Sequence, residues 1–300
     1  MSKLTIVMYH YVRPIDNTLE GNLRHLTVEQ FNRQLDYFQK KFGFLTPEEF
    51  KHNFENKIKS NKVILTFDDG LIDHYQYVFP ILKERDLKGL FFIPTSIFKD
   101  NGILNVHKVH YLLSKFDSKI IHESSLEYLE FFEINRETNQ ENEIYKYSIH
   151  EPYEYKVKRL FNYELSFSNS RAVLDELFIK HRISKDISTE IYLNQKQLNE
   201  MSKSGQIIGS HTINHQILSS LSQKDQASEI EKSFNALSDY YSPEFKIISY
   251  PFGYKFTYNQ ITLSILEKQN VNYGFIFDNK ESHEFKRHEI SREDCNKFIF

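Results

Sequence analysis

The sequence predicts an α/β fold built from parallel βα units, and three observations carry that prediction. Short apolar runs rich in β-branched and aromatic residues recur at residues 4–9, 63–67, 90–94, 206–210, 246–250 and 273–277. Stretches with helical apolar spacing separate several of them. Strand-then-helix alternation is the pattern of a parallel sheet, because each parallel strand needs a crossover to reach the next. At 300 residues the chain suffices for one large α/β barrel or for two smaller domains, with a substantial core either way.

The helical stretches follow from spacing and caps. Residues 27–42 set Phe31, Leu35, Phe38 and Phe42 on one face behind Thr27, a favourable N-cap. Residues 74–86 read as helix despite Pro80, which should kink it or delay its start. Residues 224–240 and 257–268 also read as helices. From Phe98 to about Asn194 the texture changes: Tyr, Phe, Asn, Glu and Lys dominate, and no glycine occurs between Gly102 and Gly205. Residues 106–116, 124–132 and 170–182 look helical there.

Composition excludes several roles. A 40% apolar and 26% charged chain is ordinary for a globular protein. A net charge of −3 implies no general attraction to nucleic acid or to an anionic membrane. The single cysteine, Cys295, allows no internal disulfide. No run reaches eighteen apolar residues, so no transmembrane helix is expected. The apolar run after Met1 is short and broken by His10 and Arg13, which predicts no export leader and a cytoplasmic location.

Chemistry concentrates at strand ends. Val63-Ile64-Leu65 runs into Thr66-Phe67-Asp68-Asp69-Gly70, placing two adjacent carboxylates where a buried strand emerges. Such a pair is electrostatically uncomfortable without a cation, and a metal ion is the usual remedy. Far downstream, Gly209-Ser210-His211-Thr212-Ile213-Asn214-His215 carries two histidines at i and i+4, one helical turn apart and so on one face. One carboxylate with two imidazoles makes a plausible facial site for a divalent ion. Each motif alone also reads as an ordinary turn or a chance helical spacing.

Taken in order with Tyr250-Pro251-Phe252-Gly253, these motifs resemble those of the polysaccharide deacetylase family, the NodB homology domain or carbohydrate esterase family 4. The resemblance spans about residues 60–255. It implies a distorted (β/α) barrel forming one catalytic unit over residues 1–300. Family cores pass directly from the third strand to the helix before the histidine motif, so residues 100–194 are expected to be an inserted helical subdomain. That insertion reads either as a lid shaping the substrate pocket or as a surface extension without catalytic part. His107 and His110 within it are expected to take no part in the chemistry.

The resemblance also implies roles. Asp69, His211 and His215 would hold one divalent metal, zinc first, with cobalt or nickel as alternatives. Asp68 would be the general base, and a backbone N–H near Phe252 would meet the oxyanion. Tyr250, Pro251, Phe252 and Gly253 would line the substrate site. Tyr9-His10-Tyr11 follows the first strand, so His10 and Tyr11 are expected at the barrel mouth as substrate contacts, although a packed strand-end histidine reads equally well. Two features depart from the family pattern. Ser249 stands two residues before Pro251, where many members carry an arginine that steadies the base; Arg287, in the run Phe285-Lys286-Arg287-His288-Glu289-Ile290 that also reads as a solvated face, is the first candidate replacement and Arg292 the second. The family's Leu-x-His is missing, and His288 or His283 is the candidate general acid.

These features lead to the expectation of a metal-dependent N-deacetylase acting on an N-acetylated sugar, an intracellular precursor of a surface polysaccharide or lipopolysaccharide. A deformylase or other small-acyl amidase on a lipid- or nucleotide-linked sugar is the alternative in the same fold. A carbohydrate-binding barrel with weak turnover is the alternative from another class.

Overall fold

The computed structural model describes residues 4–15, 23–47, 49–51, 61–99, 102–136, 152–241, 245–277 and 286–298. The chain folds as two compact units. The first comprises Met1–Pro14, His25–Asp100 and Thr189–Phe300, and the second comprises Ile15–Arg24 and Asn101–Ser188.

The first unit is a closed barrel of seven parallel strands. In chain order the strands are β1 (Thr5–Tyr9), β2 (Val12–Arg13), β3 (Leu26–Thr27), β4 (Val63–Asp68), β5 (Gly89–Ile93), β6 (Ile207–Ser210), β7 (Ile247–Ser249), β8 (Tyr273–Phe277) and β9 (Ile290–Asp294). The barrel runs β1-β4-β5-β6-β7-β8-β9 and closes through Val7 and Met8 of β1 opposite Glu293 and Asp294 of β9. β2 and β3 form a separate two-stranded ribbon.

Side-chain alternation sorts β4 into two faces. Ile64 joins Leu4, Ile6, Phe92, Ile247, Phe275 and Ile290 in one apolar cluster. Thr66 and Asp68 follow Ile64 at intervals of two, so the face that starts apolar ends polar. On the other face, Phe67 stacks between Tyr9 and Phe91, with centroids at 5.1 and 4.7 Å, and Phe31 of the helix Val28–Lys41 meets it edge-on. That helix starts at Thr27 with a reciprocal capping box: the Thr27 hydroxyl accepts from the Gln30 amide and the Gln30 side chain accepts from the Thr27 amide.

Several sequence expectations are met closely, at Val63–Asp68, Gly89–Ile93, Ile207–Ser210, Ile247–Ser249 and Tyr273–Phe277. Others shift. The proline in 74–86 does not break the helix, because His74–Val78 widens into a π-turn in which the Phe79 amide bonds the His74 carbonyl. Pro80 then sits in the first turn of Phe79–Glu84, where a missing N–H costs little. In the charged run near the C-terminus Lys286 and Arg287 are exposed, as on a solvated face, but the chain beyond them turns inward. Ile290–Asp294 is a barrel strand, with Ile290 and Arg292 buried.

The second unit is helical: Asn105–Lys115, Ser118–Phe131, Pro152–Arg159 and Phe167–Lys180 are its main helices among the described residues. Ser118–Phe131 begins well before the predicted 124, because Asp117 caps it through the Lys119 and Ile120 amides. Val109, Leu112, Ile121, Val157, Val173, Leu174 and Leu177 are buried, and Lys108 pairs with Asp175.

Barrel packing leaves no room at Gly209 in β6. A Cβ there would lie 2.8 Å from Phe92 Cδ1 and 2.9 Å from the Ile247 carbonyl oxygen, a backbone atom that cannot swing aside. Gly209→Ala is expected to destabilise the protein by about 1–3 kcal/mol, as overpacking does. Denaturant unfolding of the variant would check this, and an unchanged midpoint would show that the strands spread freely.

Candidate active site

The C-terminal ends of β4, β6 and β7 bring the site together. Asp68 is the last residue of β4, Ser210 of β6 and Ser249 of β7. In barrels of parallel strands this end carries the chemistry, because the loops that follow are free to vary.

Asp68 is 2% exposed and fully engaged. Arg292 NH1 and NH2 donate to its two carboxylate oxygens at 2.7 Å each, and the Ser249 hydroxyl donates to Oδ2 at 3.1 Å. Arg292 also reaches Thr66 Oγ1 at 3.2 Å and Ser249 Oγ at 2.8 Å, and its guanidinium lies over the Phe92 ring at 5.6 Å. Burial alone would raise the Asp68 pKa. The charge and hydrogen bonds of Arg292, aided by His211, outweigh it and hold the carboxyl down to about 2.

The arginine that steadies Asp68 is therefore Arg292, not Arg287. Arg287 precedes β9 and directs its guanidinium to Glu267 Oε2 at 3.2 Å and the Val271 carbonyl at 3.3 Å. β9 presents Arg292 to the barrel interior, and the small Ser249 leaves space for its guanidinium beside Asp68. His288 is likewise withdrawn from the site. It is buried before the start of β9 and donates through Nε2 to the Val271 carbonyl at 2.8 Å, while burial pushes its pKa down. His283 lies outside the described residues.

Asp69, His211 and His215 converge as one cluster, their ligand atoms within 4.8 Å of one another. Asp69 Oδ1 is 3.4 Å from His211 Nε2 and 3.5 Å from His215 Nε2. The geometry does not come from a helix. Residues 211–217 form a loop in which Thr212 and His215 adopt φ of 63° and 56°. The i, i+4 spacing thus works through two left-handed turns, each costing about 1–2 kcal/mol for a non-glycine residue. Neighbouring backbone holds the loop: the Thr95 and Ser96 amides donate to the Thr212 and Ile213 carbonyls at 3.1 and 3.0 Å. Asp69 and Gly70 also take positive φ, 79° and 62°.

The donor set suits a divalent cation. His211 Nδ1 donates to the Ser249 carbonyl at 2.7 Å, which fixes the tautomer and turns the Nε2 lone pair toward Asp69. Burial lowers the His211 pKa, yet Asp68 and Asp69 outweigh it and raise it. The field at Nε2 therefore favours positive charge, a proton or a metal. One carboxylate and two imidazoles match the ligand types of zinc and of other first-row divalent ions.

His10 joins this group. Its Nε2 is 3.8 Å from Asp69 Oδ2, and its side chain is 41% exposed. The segment that bears it is bolted down from beneath. His74 Nε2 donates to the His10 carbonyl at 2.9 Å, and burial draws the His74 pKa to about 4, so the donor stays neutral. Asp73 accepts from the Val12 amide and forms a buried two-point pair with Arg13 at 2.8 Å. The Arg13 guanidinium sits 4.8 Å from the Tyr11 ring. Phe252 packs edge-on against His215 at 4.8 Å, with φ of 61°. Gly253 follows at φ 71°, where a Cβ would strike the Phe277 amide at 2.6 Å. Pro251 is buried beside them. Tyr250 is buried and points away: its hydroxyl donates to the His288 carbonyl at 2.7 Å and its ring stacks on Tyr258, so it supports the loop and does not line a substrate surface.

A family model described as polysaccharide deacetylase matches residues 55–148 and 168–274. The match includes Asp68, Asp69, His211, His215 and Phe252 and stops short of Arg292. YxkH of Bacillus subtilis (strain 168), classed by its name with polysaccharide deacetylases, is 23% identical over 276 residues, 91% of this chain. The chain spans 64% of that relative's length. Two solved structures share the fold. Streptococcus pyogenes deacetylase PplD, in complex with acetate, matches at a TM-score of 0.58 and 21% identity, covering 97% of this chain and 92% of that one. IcaB from Ammonifex degensii matches at 0.55 and 17%, covering 97% and 91%.

The Arg292–Asp68 pair has a testable pH signature. Because the folded Asp68 pKa lies below the unfolded value of about 3.9, its contribution is fully present above about pH 4 and is lost as pH falls toward 2. Arg292→Met strands a buried carboxylate and is expected to cost about 3–5 kcal/mol at pH 7. The gap between parent and variant should narrow as pH falls and the variant's Asp68, no longer held ionised by an arginine, takes up a proton. Urea unfolding of the metal-free proteins from pH 3 to 7 would measure it, and a gap independent of pH would rule out the ion pair as its source.

Proposed function

Because the chain belongs to the polysaccharide deacetylase family, we propose that it is a metal-dependent hydrolase that removes an N-acetyl group from an acetylated sugar. The observation that carries this reading is the juxtaposition at one barrel end of an Arg292-locked carboxylate, Asp68, with the Asp69, His211 and His215 donor set. A divalent ion such as zinc, held by those three residues, would supply Lewis acidity toward the acetyl carbonyl and acidify the attacking water.

The chain's own groups do the rest. Asp68, whose Oδ2 lies 4.0 Å from His211 Nε2, is assigned as the base that takes the proton from the attacking water. Its bidentate partner keeps it ionised and aimed, so the carboxylate is ready in the ground state. Asp68 then gives that proton up to solvent, and His10, having given its own to the amine, is reprotonated from solvent. The Phe252 amide, in its left-handed turn beside His215, is assigned to the oxyanion of the tetrahedral intermediate. His10, half-exposed and next to Asp69, is the acid that returns a proton to the leaving amine. This fills the role left open by the missing Leu-x-His.

Acetate release from short N-acetylglucosamine oligomers by the zinc-loaded protein tests the reading. Asp68→Asn is expected to lower the rate by about 10²–10⁴-fold with metal content unchanged, because the amide keeps the shape and cannot take the proton. Loss of the metal along with the rate would make Asp68 a ligand instead. His215→Ala should lower metal occupancy itself, which elemental analysis would read; full occupancy in that variant removes His215 from the ligand set. His10→Gln should cut kcat by about 10²-fold and leave KM and metal content near the parent values. An unaltered kcat would assign the acid role elsewhere.

A further inference from the structure

Glu229 lies on the helix Gln223–Ala236, outside every motif that marks the site. Its carboxylate is buried, 6% exposed, against the loop between the two histidines. It accepts four hydrogen bonds from that loop. Oε2 takes the Ile213 amide at 2.9 Å and the Asn214 amide at 3.1 Å. Oε1 takes Asn214 Nδ2 at 2.7 Å and Gln216 Nε2 at 3.2 Å. All four donors fall between His211 and His215 or one residue beyond.

The division of labour around the loop is specific. Its carbonyls at Thr212 and Ile213 face the Thr95 and Ser96 amides, while its amides at Ile213 and Asn214 face Glu229. Thr212 and His215 both hold left-handed φ, and a β-branched threonine takes that conformation only when its surroundings impose it. Consecutive amides pointing at one carboxylate are what keep the chain turning back on itself between the histidines. A side chain that offers one acceptor oxygen cannot satisfy both amides and both side-chain donors.

We infer that Glu229 is a positioning residue for the metal centre: by templating the 211–216 loop it sets the separation of His211 Nε2 and His215 Nε2 and thereby the affinity for a divalent cation. This rests on the reading of Asp69, His211 and His215 as the ligands. Glu229 touches none of the three in the hydrogen bonds described, so its effect passes through the loop backbone.

The experiment is zinc affinity of the full chain, measured by competition with a chromophoric chelator, for the parent, Glu229→Gln and Asn214→Ala. The parent is measured first. A parent that binds no zinc overturns the ligand reading itself, independently of Glu229. Given a binding parent, Glu229→Gln is expected to weaken zinc about 10–100-fold, the usual effect of removing a group that orients a ligand, while the metal-free variant unfolds cooperatively in urea. Asn214→Ala removes only one of the four donors and is expected to weaken zinc by a smaller factor. Combining it with Glu229→Gln should add less than the two effects summed. Zinc affinity equal to the parent's in a folded Glu229→Gln variant would overturn the inference. If that variant does not fold, Asn214→Ala decides: parental affinity there would overturn it too.

Discussion

The buried pair between Asp68 and Arg292 is the constraint around which the barrel is arranged. Two opposite charges, both buried and one lying over the Phe92 ring, would each be costly alone. They are tolerable because every oxygen of Asp68 is met and because Arg292 reaches four acceptors contributed by β4 and β7. The pair links the first barrel strand to follow the long N-terminal helix with the last strand of the chain. It also shapes the electrostatic character of the cluster beside it, since an ionised Asp68 joins Asp69 in favouring positive charge at His211 against the cost of burial.

Around this pair the backbone departs from ordinary conformations at Asp69, Gly70, Thr212, His215, Phe252 and Gly253. All six lie in the three loops that follow β4, β6 and β7. Such strain persists only where surroundings over-determine it, and here they do: strand ends fix one side of each turn and packed neighbours fix the other. The cost is acceptable because a loop with one conformation holds its side chains ready. The turns at the mouth are held by backbone hydrogen bonds that no side-chain motif reveals.

The sequence is informative where a signal is local. Apolar runs locate six of the seven barrel strands, and the Asp-Asp-Gly and His-x-x-x-His motifs locate the cluster. Three things stay hidden. β9 is not read as a strand, because Arg292, Glu293 and Asp294 lower its apolar content, and only the position of Asp68 across the barrel explains a buried arginine there. The histidine spacing suggests a helix because i, i+4 has one common cause, whereas left-handed turns leave no trace in a Thr or a His. Arg287 and His288 attract attention by their charge and their proximity to the C-terminus, but they sit before the strand begins, and β9 directs Arg292 inward instead. Glu229 carries no signal at all: two of its partners are backbone amides, which look alike in every sequence.

The counter-ion of Asp68 has a consequence for how the protein is made. Arg292 lies 224 residues beyond the carboxylate it neutralises, so a nascent chain carries Asp68 long before Arg292 leaves the ribosome. Until then the ring of strands cannot shut, and the half-built interior must keep that acid wetted or protonated. Barrel closure and charge compensation are therefore one late event, the slowest kind of contact for a chain to find because so much polymer separates the partners.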